Sequence, residues 1–195
     1  MLPDYRNSDM YKLEDFKIEF SNENTSSDVI YDLMKIEADV YEKKDRGRYE
    51  NIERRFCRNK EMFILLYYQE TIVGSLCYFP ISKELHDMII SANGFYDDNI
   101  KEKDVEKFGS ENYIYLISIA LYKKYQGIGL GKKMMDAFFK DLKERNKKGE
   151  HTIDILTSAV SIQGESIMTE YGFELLKDMS EKEGYKLMCL KGSNL

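Results

Sequence analysis

The chain has 195 residues, with 29 Lys and Arg against 35 Asp and Glu, for a formal net charge of −6. That length suits one domain with a sizeable core, and the acidic balance excludes a general nucleic-acid binder, which needs a basic face. No apolar run approaches the roughly 20 residues that cross a bilayer, and the opening MLPDYRNSDMYKLEDF lacks the basic-then-apolar order of a signal peptide.

Residues 1–14 read as a leader without a core of its own. Phe16 to Phe20 alternates apolar and polar residues, the pattern of a half-buried strand. Asn22 to Ser27 offers several N-capping side chains, and a helix follows with Ile30, Leu33, Met34, Glu37 and Tyr41 on one stripe. Glu37 interrupts that apolar stripe. It either reaches solvent at the boundary or presents a carboxylate to an acceptor site. Glu42 to Arg48 is a charged break around Gly47, and Tyr49 to Arg58 forms a second short helix on Ile52, Phe56 and Cys57. Arg54, Arg55 and Arg58 read as its solvated face. Met62 to Tyr68 and Ile72 to Phe79 are strands of an antiparallel hairpin, joined at Gln69-Glu70-Thr71 and closed by Pro80. Gly74 inside the second strand marks a bulge or a close approach of backbone to a ligand.

Residues 82–110 then leave the regular pattern for nearly thirty residues. They hold a short helix around Glu84 to Ile90, a turn at Asn93-Gly94 and a mixed-charge run. A segment of this length in a compact domain is either functional or a surface decoration. Phe95, Tyr96, Asp97 and Asp98 would give it an acidic lip that steers an amine cation.

Tyr113 to Leu121 is an apolar, β-branched and aromatic run, a buried strand. Lys123-Lys124-Tyr125-Gln126 turns, Gly127-Ile128-Gly129-Leu130-Gly131 follows, and an amphipathic helix begins on Leu130, Met134, Phe138 and Leu142, widened by Met135 and Phe139. Glycines let backbone approach a ligand closely, and the first amides of a helix have no partner within it, so they suit an anion. Lys132 and Lys133 in that first turn oppose the helix dipole, which a phosphate would offset. A P-loop fails here, because Gln126 stands at its first glycine and Lys133 at its Ser/Thr. The dinucleotide fingerprint fails too, because its last glycine falls on Lys132 or Met134. Thr152 to Thr157 is a further strand, with Asp154 either facing solvent or pairing with a base such as Lys140 or Arg145. Ser161 to Tyr171 is a helix stopped by Gly172. Phe173 to Leu176 and Tyr185 to Leu190 form a closing hairpin around Glu181 to Gly184. Cys57, Cys77 and Cys189 are scattered without a CxxC pair, and His86 and His151 stand far apart. This indicates reduced thiols in a cytoplasmic protein and no zinc-type metal site.

Gln126-x-x-Gly129-x-Gly131 after a strand, with Ile119-Ala120-Leu121 just before it and Tyr171-Gly172-Phe173 after the next helix, resembles the GNAT superfamily of acyl-CoA-dependent N-acetyltransferases. The resemblance implies an α/β (α+β) fold: a mixed, mostly antiparallel central sheet flanked by helices. It makes residues 1–195 a single domain, with an insertion at about 82–110 between the third and fourth strands. It implies acetyl-CoA as cosubstrate and an amine acceptor as partner, with no metal. No membrane or general nucleic-acid partner is expected, and the protein would be a monomer or homodimer. It further implies that Ile119, Ala120 and Leu121 expose backbone to pantetheine, with the Leu121 N–H at the thioester oxyanion. The amides of Gly127, Ile128, Gly129, Leu130, Gly131 and Lys132, following Gln126, would hold the pyrophosphate, and Ser161 would stand where the family often has Asn. One position departs: Met168 occupies the place of the usual acid, a Tyr. Tyr171, three residues on, is the nearest replacement, although its turn around the helix favours packing beneath the sheet. Glu37 or a carboxylate of the insertion is then the candidate base, with Tyr115 and Ser118 behind them. The implied activity is acetyl transfer to a primary amine of a small molecule or peptide. The alternative is a non-catalytic acyl-CoA sensor or scaffold, and a longer acyl chain in a pocket widened at Gly74 is a third reading.

Overall fold

In the computed structural model, which describes residues 11–195, the β-branched and aromatic runs pair into one 7-stranded sheet and the amphipathic stretches cover both of its faces. The strands are β1 (Phe16–Phe20), β2 (Phe63–Tyr68), β3 (Thr71–Ile81), β4 (Glu111–Leu121), β5 (His151–Ala159), β6 (Glu174–Met179) and β7 (Tyr185–Lys191). The helices are α1 (Val29–Val40), α2 (Tyr49–Arg58), α3 (Lys83–Ser91), α4 (Leu130–Lys147), α5 (Ile162–Glu170) and the single turn α6 (Ser180–Glu183). The sheet order is β1-β2-β3-β4-β5-β7-β6, and β4–β5 is its one parallel junction. Most of the expected leader, residues 1–10, lies outside the described residues. Its end is not without a core, because Tyr11 packs edge-on against Phe16, Tyr68 and Tyr125.

Period-2 alternation along β4 feeds two cores. Tyr115 joins α1, α2 and the insertion on one face; Ile114 and Leu116 join Met134, Phe138 and Leu142 of α4 on the other. The insertion is not a decoration. Leu85, Ile89, Phe95, Ile100 and Val105 are all buried in the first core, and Val105 bridges to Ile81 at the end of β3. Two further expectations change. Arg55 is not solvated: it is 2% exposed, and its Nε donates to the Asn51 carbonyl at 3.1 Å. A helix of ten residues this close to the sheet turns one of its three arginines inward, where the insertion supplies acceptors. Asp154 pairs with neither Lys140 nor Arg145. It is buried, accepts from Lys191 Nζ at 2.9 Å and lies 3.2 Å from His86 Nε2, because β7 and α3 pack against β5. Arg145 instead reaches Asp141, Glu150 and Glu61, at 2.7 to 3.0 Å. Gly74 lies beside a bulge, one of its two expected readings: Leu66 opposes Gly74 and Tyr67 opposes Ile72, so Val73 is an extra residue, and a Cβ at Gly74 would sit 2.8 Å from Leu121 Cδ1 and 3.1 Å from the Ala120 carbonyl.

The feature that positions the site is a fork. β4 and β5 pair from Glu111↔His151 to Leu116↔Thr157 and no further. Beyond that point Ser158 and Ala159 stay with β7, while Ser118 to Leu121 stay with β3. The cause is local. Leu116 opposes Tyr78 and Ser118 opposes Cys77, so Ile117 is an extra residue on β4. A bulge of this kind bends its strand and increases its twist, and here it carries β4 away from β5.

Candidate functional site

The fork opens a cleft of about 710 Å³ that runs from the start of α4 to the insertion. Its first arm is built from backbone. Tyr122 N donates to the Val73 carbonyl, so by ladder alternation Ser118 and Ala120 face β3, and the polar groups of Ile119 and Leu121 face the fork. Two side chains agree with that direction: Tyr41 Oη donates to the Ile119 carbonyl at 2.8 Å, and Gln126 Nε2 to the Leu121 carbonyl at 2.9 Å. The Leu121 N–H therefore points into the cleft. Gln126 ties the glycine turn to the end of β4.

Gly127 and Gly129 adopt φ of 81° and 88°, a region that costs an L side chain about 1–2 kcal/mol. Gly129 is the N-cap of α4, and the first main-chain bond back along the helix runs from Lys133 N to the Gly129 carbonyl. The amides of Leu130, Gly131 and Lys132 thus have no helical acceptor and lie at the end of the arm. Gly131 is also the point where α4 meets α5, 3.4 Å from Ile167 Cδ1 for an added Cβ. This arm fits a chain that ends in phosphates: N–H groups along its length, a positive helix end, and space at Gly127, where a Cβ would meet nothing within 4 Å.

Of the residues expected here, Ile119, Leu121, Gln126, Gly127, Gly129, Leu130, Gly131 and Ser161 line the cleft together. Ala120 does not, since its amide faces β3 and its methyl enters the opposite core. Ile128 packs on the α4 core. Lys132 and Lys133 do not aim their ammoniums at the arm: Lys132 pairs with Glu170 at 2.5 Å, and Lys133 donates to the Leu13 and Phe16 carbonyls, each at 2.6 Å. Only the Lys132 amide belongs to the arm. Ser161 caps α5 by accepting from Gly164 N at 3.0 Å, which leaves its hydroxyl proton for a ligand.

The second arm is lined by side chains, and acids predominate. Glu37, Glu42, Asp45, Asp97, Asp98 and Glu183 face three bases, Lys44, Arg46 and Arg55. Glu37 therefore turns to the cleft and not to solvent. Burial raises its carboxyl above the usual range, against the Gly47 N–H (3.1 Å) and the nearby Arg55 and Arg46 charges. Burial likewise pushes Asp97 up to about 6, opposed by the Tyr115 hydroxyl and by Arg55. Asp98 is held low despite partial burial, because Asn51 Nδ2 and Arg48 Nε each donate to it at 2.6 Å. The Cys77 thiol in this wall is pushed well up by burial, so it stays protonated. The insertion crosses the mouth as a strap. Phe95 N donates to Tyr185 Oη at 2.8 Å, Tyr96 Oη to Glu183 at 2.5 Å, and Lys177 Nζ to the Ala92 carbonyl at 2.8 Å. Sequence reasoning placed Phe95, Tyr96, Asp97 and Asp98 beside the acceptor and singled out no one of them; Asp97 has no spacing signal, only its charge.

Met168 is buried in the wall of the cleft. Tyr171 is not in the cleft wall and packs, as expected, against the core beneath the α4 face of the sheet. Its ring stacks on Phe139 at 5.2 Å, and its hydroxyl donates to Asp136 at 2.6 Å on α4, outside the cleft wall. The physical reason is helix geometry, since three residues carry it about 60° around α5.

The fold is thus a single mixed α/β unit whose sheet parts at its parallel junction. A model of the acetyltransferase (GNAT) family matches residues 29–162, and the chain belongs to that family. No curated protein matches the chain in sequence. Solved structures share the fold. The loading GNATL domain of CurA from Lyngbya majuscula superposes with a TM-score of 0.70 at 12% identity, covering 92% of this chain and 99% of that one. GphF, a GNAT-like decarboxylase in complex with isobutyryl-CoA, gives 0.66 at 10% identity over 90% and 99%. Arabidopsis thaliana Naa50 in complex with the bisubstrate analogue CoA-Ac-MVNAL gives 0.59 at 11% identity over 91% and 99%.

Proposed function

We propose that this protein transfers an acetyl group from acetyl-CoA to a primary amine of a small molecule or peptide, by direct attack while both are bound. The observation that carries the reading is the two-armed cleft: an arm of backbone N–H groups ending at the start of α4, and an arm in which six acids face three bases. The first suits a phosphate-bearing thioester; the second suits an ammonium ion. The Leu121 N–H stabilises the oxyanion at the thioester carbonyl, the N–H groups from Gly127 to Lys132 hold the pyrophosphate, and the Ser161 hydroxyl binds the pantetheine. Acetyl-CoA supplies the activated acyl group. A free-thiol pKa near 8.5 makes its thiolate a good leaving group without a side-chain acid at Met168.

A second reading is a protein that holds acyl-CoA as a sensor, and Met168 in place of a proton donor favours it. Titration calorimetry of acetyl-CoA into the wild type and a Gly129→Glu/Gly131→Glu variant is the first test, with circular dichroism to establish that the variant is folded. Binding to the wild type alone supports the cofactor arm. Thiol release with n-butylamine, putrescine, lysine or a free-amine tetrapeptide separates the enzyme from the sensor, which turns over with none of them.

A further inference from the structure

Resting on that acetyl-transfer reading, we propose that Asp97, on the insertion, is the base that takes the proton from the acceptor ammonium, with Tyr115 as its positioning residue. Three observations lead there. First, three of the six carboxylates of the acceptor arm are already engaged by other side chains. Asp98 is fixed by Arg48 and Asn51, Glu183 by Tyr96, and Glu42 lies 3.5 Å from Lys44. Second, the Asp97 carboxylate accepts from the Tyr115 hydroxyl through one oxygen, Oδ1. No other side-chain hydrogen bond reaches that carboxylate among the described residues. Third, Tyr115 is also 2.9 Å from Ser158 Oγ. Ser158 stands one residue beyond the last β4–β5 pair, Leu116↔Thr157. The chain Asp97–Tyr115–Ser158 therefore ends at the fork, beside the strand that carries Leu121. Glu37 lacks such a link, since its Oε2 is held by Gly47 N on the α1 side.

The backbone around Asp97 is fixed for this task. Arg55 Nη1 donates to the Asp97 carbonyl at 3.4 Å, and Asn51 Nδ2 to the Asp98 carbonyl at 3.3 Å. The ionisable groups around the carboxylate are Arg55 from α2, Asp98 beside it, Tyr115 from β4, Tyr185 from β7, Tyr41 after α1 and Cys77 from β3. Arg55 is the one cation among them. A carboxyl titrating at about 6 is ionised at neutral pH yet basic enough to accept a proton.

The step balances as follows. Asp97 takes one proton from R–NH3⁺. The amine lone pair forms the N–C bond as the C–S bond breaks, and the thiolate of coenzyme A leaves with the electron pair. The second N–H proton goes to that thiolate. Asp97 returns its proton to water. While Asp97 is protonated, the hydrogen-bond chain reverses: the acid donates to Tyr115, and Tyr115 to Ser158.

The test uses the full chain, acetyl-CoA and the amine probes above. Asp97→Asn should lower kcat/KM for the amine by about 10²–10⁴-fold, with acetyl-CoA affinity by calorimetry unchanged. The acidic limb of the wild-type pH profile, near 6, should disappear. Tyr115→Phe removes a hydrogen bond that favours the ionised carboxylate, so its acidic limb should move to higher pH, a change that a merely structural role for Tyr115 would not produce. Glu37→Gln should raise the KM for the amine and keep the limb. The proposal is overturned if Asp97→Asn keeps more than a tenth of the activity or keeps the limb, or if the limb goes with Glu37→Gln instead. In those cases acetyl transfer by the wild type leaves the function reading standing. A wild type that transfers to none of the amines overturns both.

Discussion

Several single residues carry constraints that their type alone does not announce. Gly192 follows β7, and a Cβ there would lie 1.8 Å from the Thr152 carbonyl oxygen. Backbone cannot step aside as a flexible side chain can. Gly192→Ala should therefore destabilise by about 3 kcal/mol, at the upper end of the overpacking range, read as a lower urea midpoint at unchanged slope. Gly129 is a different case: space is available, but φ is +88°. Gly129→Ala should cost about 1–2 kcal/mol from backbone strain, and it should weaken acetyl-CoA binding by shifting the start of α4, both measurable on one preparation by denaturation and calorimetry. Gly129 was legible in the sequence through the glycine spacing. Gly192 was not, because the atom it avoids is forty residues earlier in the chain.

At the level of elements, the segment between β3 and β4 lines the acidic arm of the cleft. Its helix α3 is capped by Ser82, whose Oγ accepts from Leu85 N at 3.2 Å, and its apolar residues complete the core over β3 and β4. Phe95→Ala should cost about 3 kcal/mol, as removal of a buried ring does; a cost below about 0.5 kcal/mol in equilibrium unfolding would mean that the strap is not part of the core. Tyr96→Phe breaks only the exposed link to Glu183. It should leave stability nearly unchanged and raise the KM for the amine without changing that for acetyl-CoA. The glycine turn and the amphipathic α4 were readable because their signals are local: φ-permissive residues and a four-residue apolar repeat. The course of the insertion was not, since it follows from where β7 slots between β5 and β6 and offers Tyr185 to Phe95.

Over the whole molecule, the acidic arm is held at a cost to stability. A carboxyl whose folded pKa is raised above its unfolded value, about 4 for Asp, opposes folding once it is ionised in both states. For Asp97, raised to about 6, the opposition is complete at pH 7 and fades as the pH falls from about 6 to about 4. Asp97→Asn should therefore stabilise by about 1–3 kcal/mol at pH 7 and by much less at pH 4, seen by urea unfolding at the two pH values. A gain that is equal at both would show that the Asp97 charge is not what opposes folding.

The sequence by itself determined the family, the order of nearly all elements and the glycine turn at the start of α4, because each rests on short-range patterning: period-2 runs, the α4 stripe, and Gln126-x-x-Gly129-x-Gly131. It also pointed to Phe95, Tyr96, Asp97 and Asp98, which line the cleft. The tertiary structure alone decided which groups share the cleft. The Ile117 bulge parts β4 from β5, Arg55 turns inward to meet the insertion, Lys132 and Lys133 are drawn off to Glu170 and to main-chain carbonyls, and Tyr171 is carried out to Asp136. Each of these depends on a partner distant in the chain, and a side chain's direction is set by the partner it packs against.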